Sequence, residues 1–171
     1  MHGGFIVRKF TLCYFVFLTV IAVFQLMPDK EAAVRMDRVN LYFVDRQMMR
    51  LVSVDYYVTE GTVQQEAEFV LRELLKGRRG SDSVRRMLPD FPDAASVTVN
   101  GEVATVNIKM KYFDHYEKGR LQEELIVYQI VNSLTSVEGI SRVKFVFDGE
   151  VRKKFLAETD MREAFVPDYC V

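Results

Sequence analysis

The sequence TVQQEAEFVLRELLKG, residues 62–77, contains a helix start, a single apolar face and a helix stop. Thr62 and Gln65 have the spacing of a capping box, in which two side chains satisfy free N–H groups at the start of a helix. Gly77 is the residue type that most often ends one. The apolar residues between them recur every three or four positions, which predicts a helix that buries one face. Those residues are Ala67, Val70, Leu71, Leu74 and Leu75.

Strand patterns lie on both sides of this helix. Residues 39–45 (VNLYFVD) and 50–57 (RLVSVDYY) are rich in β-branched and aromatic residues, and a tight connection near residues 46–49 joins them. Residues 97–108 (VTVNGEVATVNI) alternate around Asn100-Gly101, a dipeptide typical of a two-residue β-turn. The sequence therefore predicts one hairpin before the helix and one after it.

A second helix and a further strand complete the pattern. Residues 120–136 carry one apolar stripe, and residues 143–147 alternate, so the element order is ββαββαβ. One-sided helices and alternating strands are typical of a sheet with one covered face. We predict an α+β fold, a two-layer sandwich of a mixed or antiparallel sheet with both helices packed on one face. The stripe of the second helix is Val127, Ile130, Val131 and Leu134.

The chain carries no charge from residue 10 to residue 27, and this segment is almost entirely apolar. As a helix it would be about 27 Å long, close to the bilayer core thickness of about 30 Å. We predict a transmembrane helix. Because Arg8 and Lys9 precede it, the positive-inside rule places the N-terminus in the cytoplasm. The alternatives are a cleaved secretory signal, which would export the same residues, and a buried core helix.

These boundaries divide the chain into five parts. Residues 1–9 form a cytoplasmic N-terminus, 10–27 the transmembrane helix, 28–38 a tether, 39–166 the folded domain and 167–171 a frayed tail. The protein is thus predicted to be a single-pass protein of the cell membrane, with its C-terminal domain outside the cytoplasm.

The composition limits the chemistry. The 171 residues are 49% hydrophobic with a net charge of −1, which is typical of a globular protein and unlike a nucleic-acid binder. Two cysteines and two histidines leave little for a metal centre, and no disulfide is predicted between Cys13 and Cys170. No glycine-rich phosphate loop, zinc-protease motif or nucleophile elbow occurs. We therefore expect no catalytic, cofactor or metal residue and no enzymatic activity.

A basic group just after the first helix is the most concentrated feature of the predicted surface. It surrounds a single acid, Asp82. Two interpretations remain: a solvated loop, or a contact surface for an anionic partner or for lipid head groups near the bilayer. The candidate contact residues are Lys76, Arg78, Arg79, Arg85 and Arg86.

The stretch before the second helix supports two further hypotheses. Its three aromatic residues either line a ligand pocket or fill the core and a turn. Its polar residues either form a minimal hydrolase site or belong to a solvated loop, since no nucleophile lies nearby. The aromatic residues are Tyr112, Phe113 and Tyr116, and the polar residues are Asp114, His115 and Glu117.

A sheet edge or an uncovered sheet face is the expected docking surface for a partner protein. Side chains of the second strand would contribute to it if they lie outside the core. They are Val52, Val54, Tyr56 and Tyr57.

The sequence of residues 39–166, and the order of its short motifs, resemble those of the GerMN domain of spore-germination and sporulation proteins. No single stretch decides this resemblance, but the set is collinear. The stretches are Tyr42–Asp45 (YFVD), Leu51–Val54 (LVSV), Val70–Gly77 (VLRELLKG), Leu88-Pro89, Val97–Ile108, Gln129–Glu150 and Asp160–Phe165. The sequence departs from the family at Gln47-Met48-Met49, where members often have glycine, and at Gly77-Arg78, where a proline often follows the glycine.

The resemblance implies a role without catalysis, as an assembly or scaffold module of the cell envelope. We expect a membrane-anchored, extracytoplasmic protein–protein interaction domain in an envelope complex of sporulation or spore germination. Its expected partners are envelope or septal membrane proteins, with the membrane contacted through the N-terminal helix. The alternative is a module that binds an envelope small molecule or a cell-wall fragment.

Overall fold

The computed structural model describes residues 35–78, 83–116, 119–157 and 159–171. The predicted cytoplasmic N-terminus, the predicted transmembrane helix and most of the predicted tether lie outside these ranges. Within them, no helix combines the length and the apolarity needed to cross a membrane.

The predicted element order is confirmed, with one short strand added. The strands are β1 Met36–Asp45, β2 Leu51–Thr59, β3 Val84–Arg85, β4 Ala95–Asn100, β5 Val103–Ile108 and β6 Arg142–Phe147. The helices are α1 Val63–Lys76 between β2 and β3, and α2 Arg120–Leu134 between β5 and β6, with a 3-10 turn at Met110–Tyr112.

The strands form two three-stranded sheets, so the prediction of a single sheet is wrong. The first has the order β2-β1-β3 and is antiparallel throughout. The second has the order β4-β5-β6, in which β4 and β5 are antiparallel while β5 and β6 run parallel, because α2 carries the chain back between them. Alternation in the sequence shows which residues share a face but does not select the neighbouring strand.

Helix α1 forms as its sequence predicts. Thr62 accepts a hydrogen bond from the Gln65 N–H at 3.3 Å, and Gln65 Oε1 accepts one from the Thr62 N–H at 2.9 Å. At the other end Gly77 has φ 63°, and its N–H donates to the carbonyls of Glu73 and Leu74. The predicted apolar face is buried, and Glu66 is buried with it.

Helix α2 is buried on most of its surface. The predicted apolar stripe is in the core, but polar residues beside it are enclosed as well, because both sheets, α1 and the C-terminal segment pack around this helix. This helix therefore joins the two sheets, because both pack against it. Its buried residues are Glu123, Leu125, Ile126, Val127, Gln129, Ile130, Val131, Asn132, Ser133 and Leu134.

The C-terminal segment is attached to the domain, contrary to the predicted frayed tail. Phe165 exchanges two backbone hydrogen bonds with Val143 of β6, at 2.7 and 2.9 Å. Farther on, the Asn132 side chain bonds the backbone N–H and carbonyl of Asp168, at 3.0 and 2.6 Å. Cys170 is exposed and unpaired within the described ranges.

Candidate docking edge and the predicted basic residues

The outer edge of β4 is closed by a side chain of α1. The Gln64 amide nitrogen donates to the Val97 carbonyl at 3.0 Å, and its oxygen accepts from the Val99 N–H at 2.8 Å. The amide thus occupies the donor and the acceptor that a neighbouring strand would use. A covered edge of this kind does not add further strands.

The free half of β1 is closed in the same manner by one serine of α2 and one serine just after it. Asn40 gives its N–H to Ser136 Oγ at 3.0 Å, and Tyr42 gives its N–H to Ser133 Oγ at 2.8 Å. The outer edge of β6 is covered at both ends by backbone bonds, between Val143 and Phe165 and between Phe147 and Glu150. Side chains and terminal segments of the chain therefore cover most of the sheet edges.

The outer edge of β2 is open. Asn40 and Tyr42 direct their N–H groups to these serines, away from β2. The alternate β1 residues therefore face β2, and the register pairs them with Tyr56, Val54 and Val52. The odd-numbered residues of β2 consequently direct their backbone groups outward. Leu51 gives its N–H to the Val171 carbonyl at 3.0 Å. The next three outward-facing residues have no backbone partner in the described part of the chain, and they are Ser53, Asp55 and Tyr57.

The side chains of β2 refine the predicted docking surface. Val52, Val54 and Tyr56 are half-buried on the face shared with β1, where the Tyr56 ring centroid lies 6.3 Å from that of Phe43. Only Tyr57 is well exposed, at 62%. The exposed part of β2 is thus its backbone edge and its outer face.

An ion pair flanks the open edge. Asp55 accepts a hydrogen bond from Arg38 Nη2 at 2.8 Å, and this bond raises the pKa of the Arg38 guanidinium. Both groups are exposed, so water screens the pair and its contribution to stability is small. Its position beside Tyr57 makes the edge polar as well as aromatic.

The predicted basic residues have separate roles in the structure. Lys76 pairs with Glu73 at 2.6 Å, and Arg86 pairs with Asp90 at 2.6 Å and donates to the Lys76 carbonyl at the end of α1. A guanidinium at this position satisfies a free carbonyl and the negative end of the helix dipole. Arg78 and Arg85 are exposed, whereas Arg79 lies outside the described residues.

The three aromatic residues before α2 are divided between different environments. Tyr112 stacks on Phe91 at 4.7 Å and donates to Asp93 at 2.7 Å. This bond, followed by one from Lys109, lowers the pKa of Asp93. Phe113 is part of the core, and Tyr116 is half-buried against it.

The residues of the hydrolase hypothesis do not form a catalytic arrangement among the described positions. Asp114 and His115 are both exposed and share no hydrogen bond there, while Glu117 lies outside the described ranges. His115 lines an open pocket together with Arg85 and Tyr116. The described ranges hold no group of three His, Cys, Asp or Glu placed to bind a metal.

Glu123 has a structural role that the sequence patterns did not predict. Its carboxylate is fully buried and accepts hydrogen bonds from the N–H groups of Leu156 at 2.7 Å, Thr159 at 3.0 Å and Ala157. The carboxylate thereby fixes the loop that leads to the C-terminal segment. A signal was present, because residues 125–127 (LIV) are continuously apolar and indicate a helix enclosed on several sides.

A protein-family model and several solved structures match this chain. A family model described as "Germane: Sporulation and spore germination" matches residues 40–153, and no curated protein matches the sequence. The tandem GerMN domains of the sporulation protein GerM from Bacillus subtilis align with a TM-score of 0.58 and 18% identity, over 77% of this chain and 46% of theirs. The chain thus spans about half of that tandem pair.

Two further solved structures have a similar fold. The first GerMN domain of GerM from Bacillus subtilis aligns with a TM-score of 0.52 and 18% identity, over 72% of this chain and 92% of that domain. A Clostridium perfringens protein assigned as a lipoprotein aligns with a TM-score of 0.53 and 15% identity, over 77% of this chain and 87% of its own. At these identities the likeness concerns the fold alone.

Proposed function

Because the chain belongs to the Germane family of sporulation and spore germination, as its resemblance to GerMN domains predicted, we propose that it is an extracytoplasmic interaction domain of an envelope complex. The domain acts by binding an extended segment of another envelope or septal membrane protein. It is held at the membrane by residues 10–27 and carries out no catalysis.

The observation that supports this mechanism is the open outer edge of β2. Gln64 covers β4, two serines cover the free half of β1, and the C-terminal segment covers part of β6. The three outward-facing residues of β2 from Ser53 to Tyr57 present backbone donors and acceptors that no described residue uses. An added strand gains main-chain hydrogen bonds along such an edge, and alternate side chains give it specificity.

Proline in place of Ser53 is expected to reduce capture of the partner about tenfold or more, because the ring removes an outward N–H and blocks the approach of a strand. The fold makes no use of this N–H within the described residues, so the amount of folded protein should not change. The measurement is quantitative recovery of crosslinked envelope proteins with the tagged full-length chain, from growing and from sporulating cells.

Ser53→Ala is the matched control, since it removes the hydroxyl but keeps the backbone N–H. It should capture the partner as the unchanged chain does. Equal recovery with the proline and alanine variants would show that the partner binds elsewhere.

The membrane anchor is the second component of the proposal. It rests on the uncharged run of residues 10–27, with Arg8 and Lys9 before it. The Clostridium perfringens relative is assigned as a lipoprotein, so a membrane-held member of this fold has a precedent with a different attachment.

The full-length chain is expected to stay with membranes through an alkaline carbonate wash, and protease added to intact protoplasts should remove a tag at its C-terminus. A tag at the N-terminus should remain protected and on the same molecule. Loss of the N-terminal tag before any protease is added would indicate a cleaved signal, and protection of the C-terminal tag would contradict the proposed orientation.

A further inference from the structure

An open pocket of about 310 Å³ lies where the β1–β2 turn, β3 and the start of α2 meet. Its volume is at the lower end of the range for small-molecule sites, about 300–1,000 Å³. Segments distant in the sequence form its walls, and the buried side chain of Met87 also lines it. The other lining residues are Met48, Arg85, Arg86, His115, Tyr116 and Gln122.

Two arginines give this pocket a positive character. Arg86 is fixed by its bonds to the Lys76 carbonyl and to Asp90. Arg85 is exposed, and its side chain has no hydrogen bond or ion pair with any described residue. No carboxylate is among the described lining residues, so the free guanidinium is not neutralised within the pocket.

Two neutral hydrogen-bond donors, the Tyr116 hydroxyl and the Gln122 amide, line the pocket beside the arginines. The Tyr116 ring lies 4.8 Å from that of buried Phe113, which holds it in place. Burial raises the pKa of the Tyr116 hydroxyl, with Arg86 opposing the effect, so the group stays protonated at neutral pH and is available as a hydrogen-bond donor. The Gln122 side chain adds an amide, which also has no partner in the described part of the chain.

Met48, in the β1–β2 turn, lines the pocket and has an unfavourable backbone conformation. Met48 has φ 57°, in the left-handed region that favours glycine. The side chain is half-buried against the core and forms the apolar wall of the pocket together with Met87. Backbone outliers of this kind concentrate at functional sites.

We propose that this pocket binds a small molecule that carries a carboxylate or phosphate group, with the anion on Arg85 and the apolar part against the two methionines. A planar guanidinium binds both kinds of anion through two parallel hydrogen bonds. Arg86, Tyr116 and Gln122 supply the remaining donors. This site is separate from the open edge of β2 and adds a ligand to the proposed docking function.

Methionine-methyl NMR of the full-length chain in detergent micelles tests the proposal. The probes are inorganic phosphate in one titration and succinate in another, each at constant ionic strength balanced with sodium chloride. The methyl signals of Met48 and Met87 should shift saturably with at least one probe, and the two titrations identify the preferred anion. Met36, which is exposed on β1, and Met161, which is buried elsewhere, are internal controls and should not shift.

The variant Arg85→Gln should weaken this binding about tenfold or more, since it removes the charge and the paired hydrogen bonds. Arg142→Gln makes the same change at an exposed residue of β6 and should leave the affinity unchanged. The proposal is overturned if neither anion gives a saturable shift, or if Arg85→Gln binds as tightly as the unchanged chain. Partner capture through β2 should be the same in Arg85→Gln, so the two proposals fail independently.

Discussion

Replacing Glu123 with alanine is expected to lower the free energy of unfolding by about 3–4 kcal/mol. The change removes a fully buried carboxylate that accepts hydrogen bonds from the N–H groups of Leu156, Ala157 and Thr159. Each of these three N–H groups loses a charge-assisted hydrogen bond. A buried donor without a partner costs about 1–3 kcal/mol of stability. Glu123→Gln keeps one acceptor oxygen and should show an intermediate loss.

Glu124→Ala is the matched control for this prediction. Glu124 is the next residue of α2, but it is partly exposed and pairs with Arg120 at 2.9 Å, so its loss should cost less than about 0.5 kcal/mol. Urea unfolding followed by far-UV circular dichroism and tyrosine fluorescence measures both variants, since the chain has eight tyrosines and no tryptophan. Similar losses for the two variants would contradict the anchoring role of Glu123.

Replacing Asn132 with alanine is expected to lower the free energy of unfolding by about 2–3 kcal/mol and to release the end of the chain. The Asn132 amide is fully buried and makes both backbone hydrogen bonds of Asp168. Its removal leaves the N–H and carbonyl of Asp168 unpaired. Because Val171 accepts from the Leu51 N–H, a released tail also frees the first position of the β2 edge.

Two amides report this release. Amide hydrogen exchange at Leu51 and Asp168 should accelerate in Asn132→Ala while exchange in the middle of α2 stays slow. Asp168→Ala is the control, because Asn132 bonds the backbone of Asp168 and, among the described residues, the lost carboxylate accepts only from the exposed Cys170 N–H. Unchanged exchange at Leu51 in Asn132→Ala would show that the tail is held by other contacts.

Elements with local signals could be predicted from the sequence. Helix α1 has its start, its apolar face and its stop within residues 62–77, and Asn100-Gly101 determines the turn between β4 and β5. The second helix and β6 follow from periodicity alone. In each case the residues that decide the structure lie within one turn or one face of the element itself.

Features that depend on contacts distant in the sequence could not be predicted. Gln64 covers an edge 33 residues farther along, and Ser136 bonds a strand 96 residues before it. Both are common surface residue types, so composition gives no indication that they cover strand edges. The same applies to Asn132, whose role becomes clear only once the C-terminal segment is in place.

The candidate sites were predicted in part. A sheet edge was expected as a docking surface, but the choice of β2 requires knowing how β4, the free half of β1 and β6 are covered. The predicted basic residues include Arg85 and Arg86, which the fold brings to one pocket, whereas Lys76 is paired with Glu73. Which of these charges remain free depends on where the fold places the neighbouring acidic side chains.

The most direct test of the account is hydrogen exchange at the β2 edge, read residue by residue with and without the captured partner. The amides of Ser53, Asp55 and Tyr57 should exchange rapidly in the chain alone and become protected in the complex, as an added strand requires. The alternate amides, which face β1, should be protected in both states. Rapid exchange at the three outward amides in a complex that is otherwise intact would contradict docking at this edge.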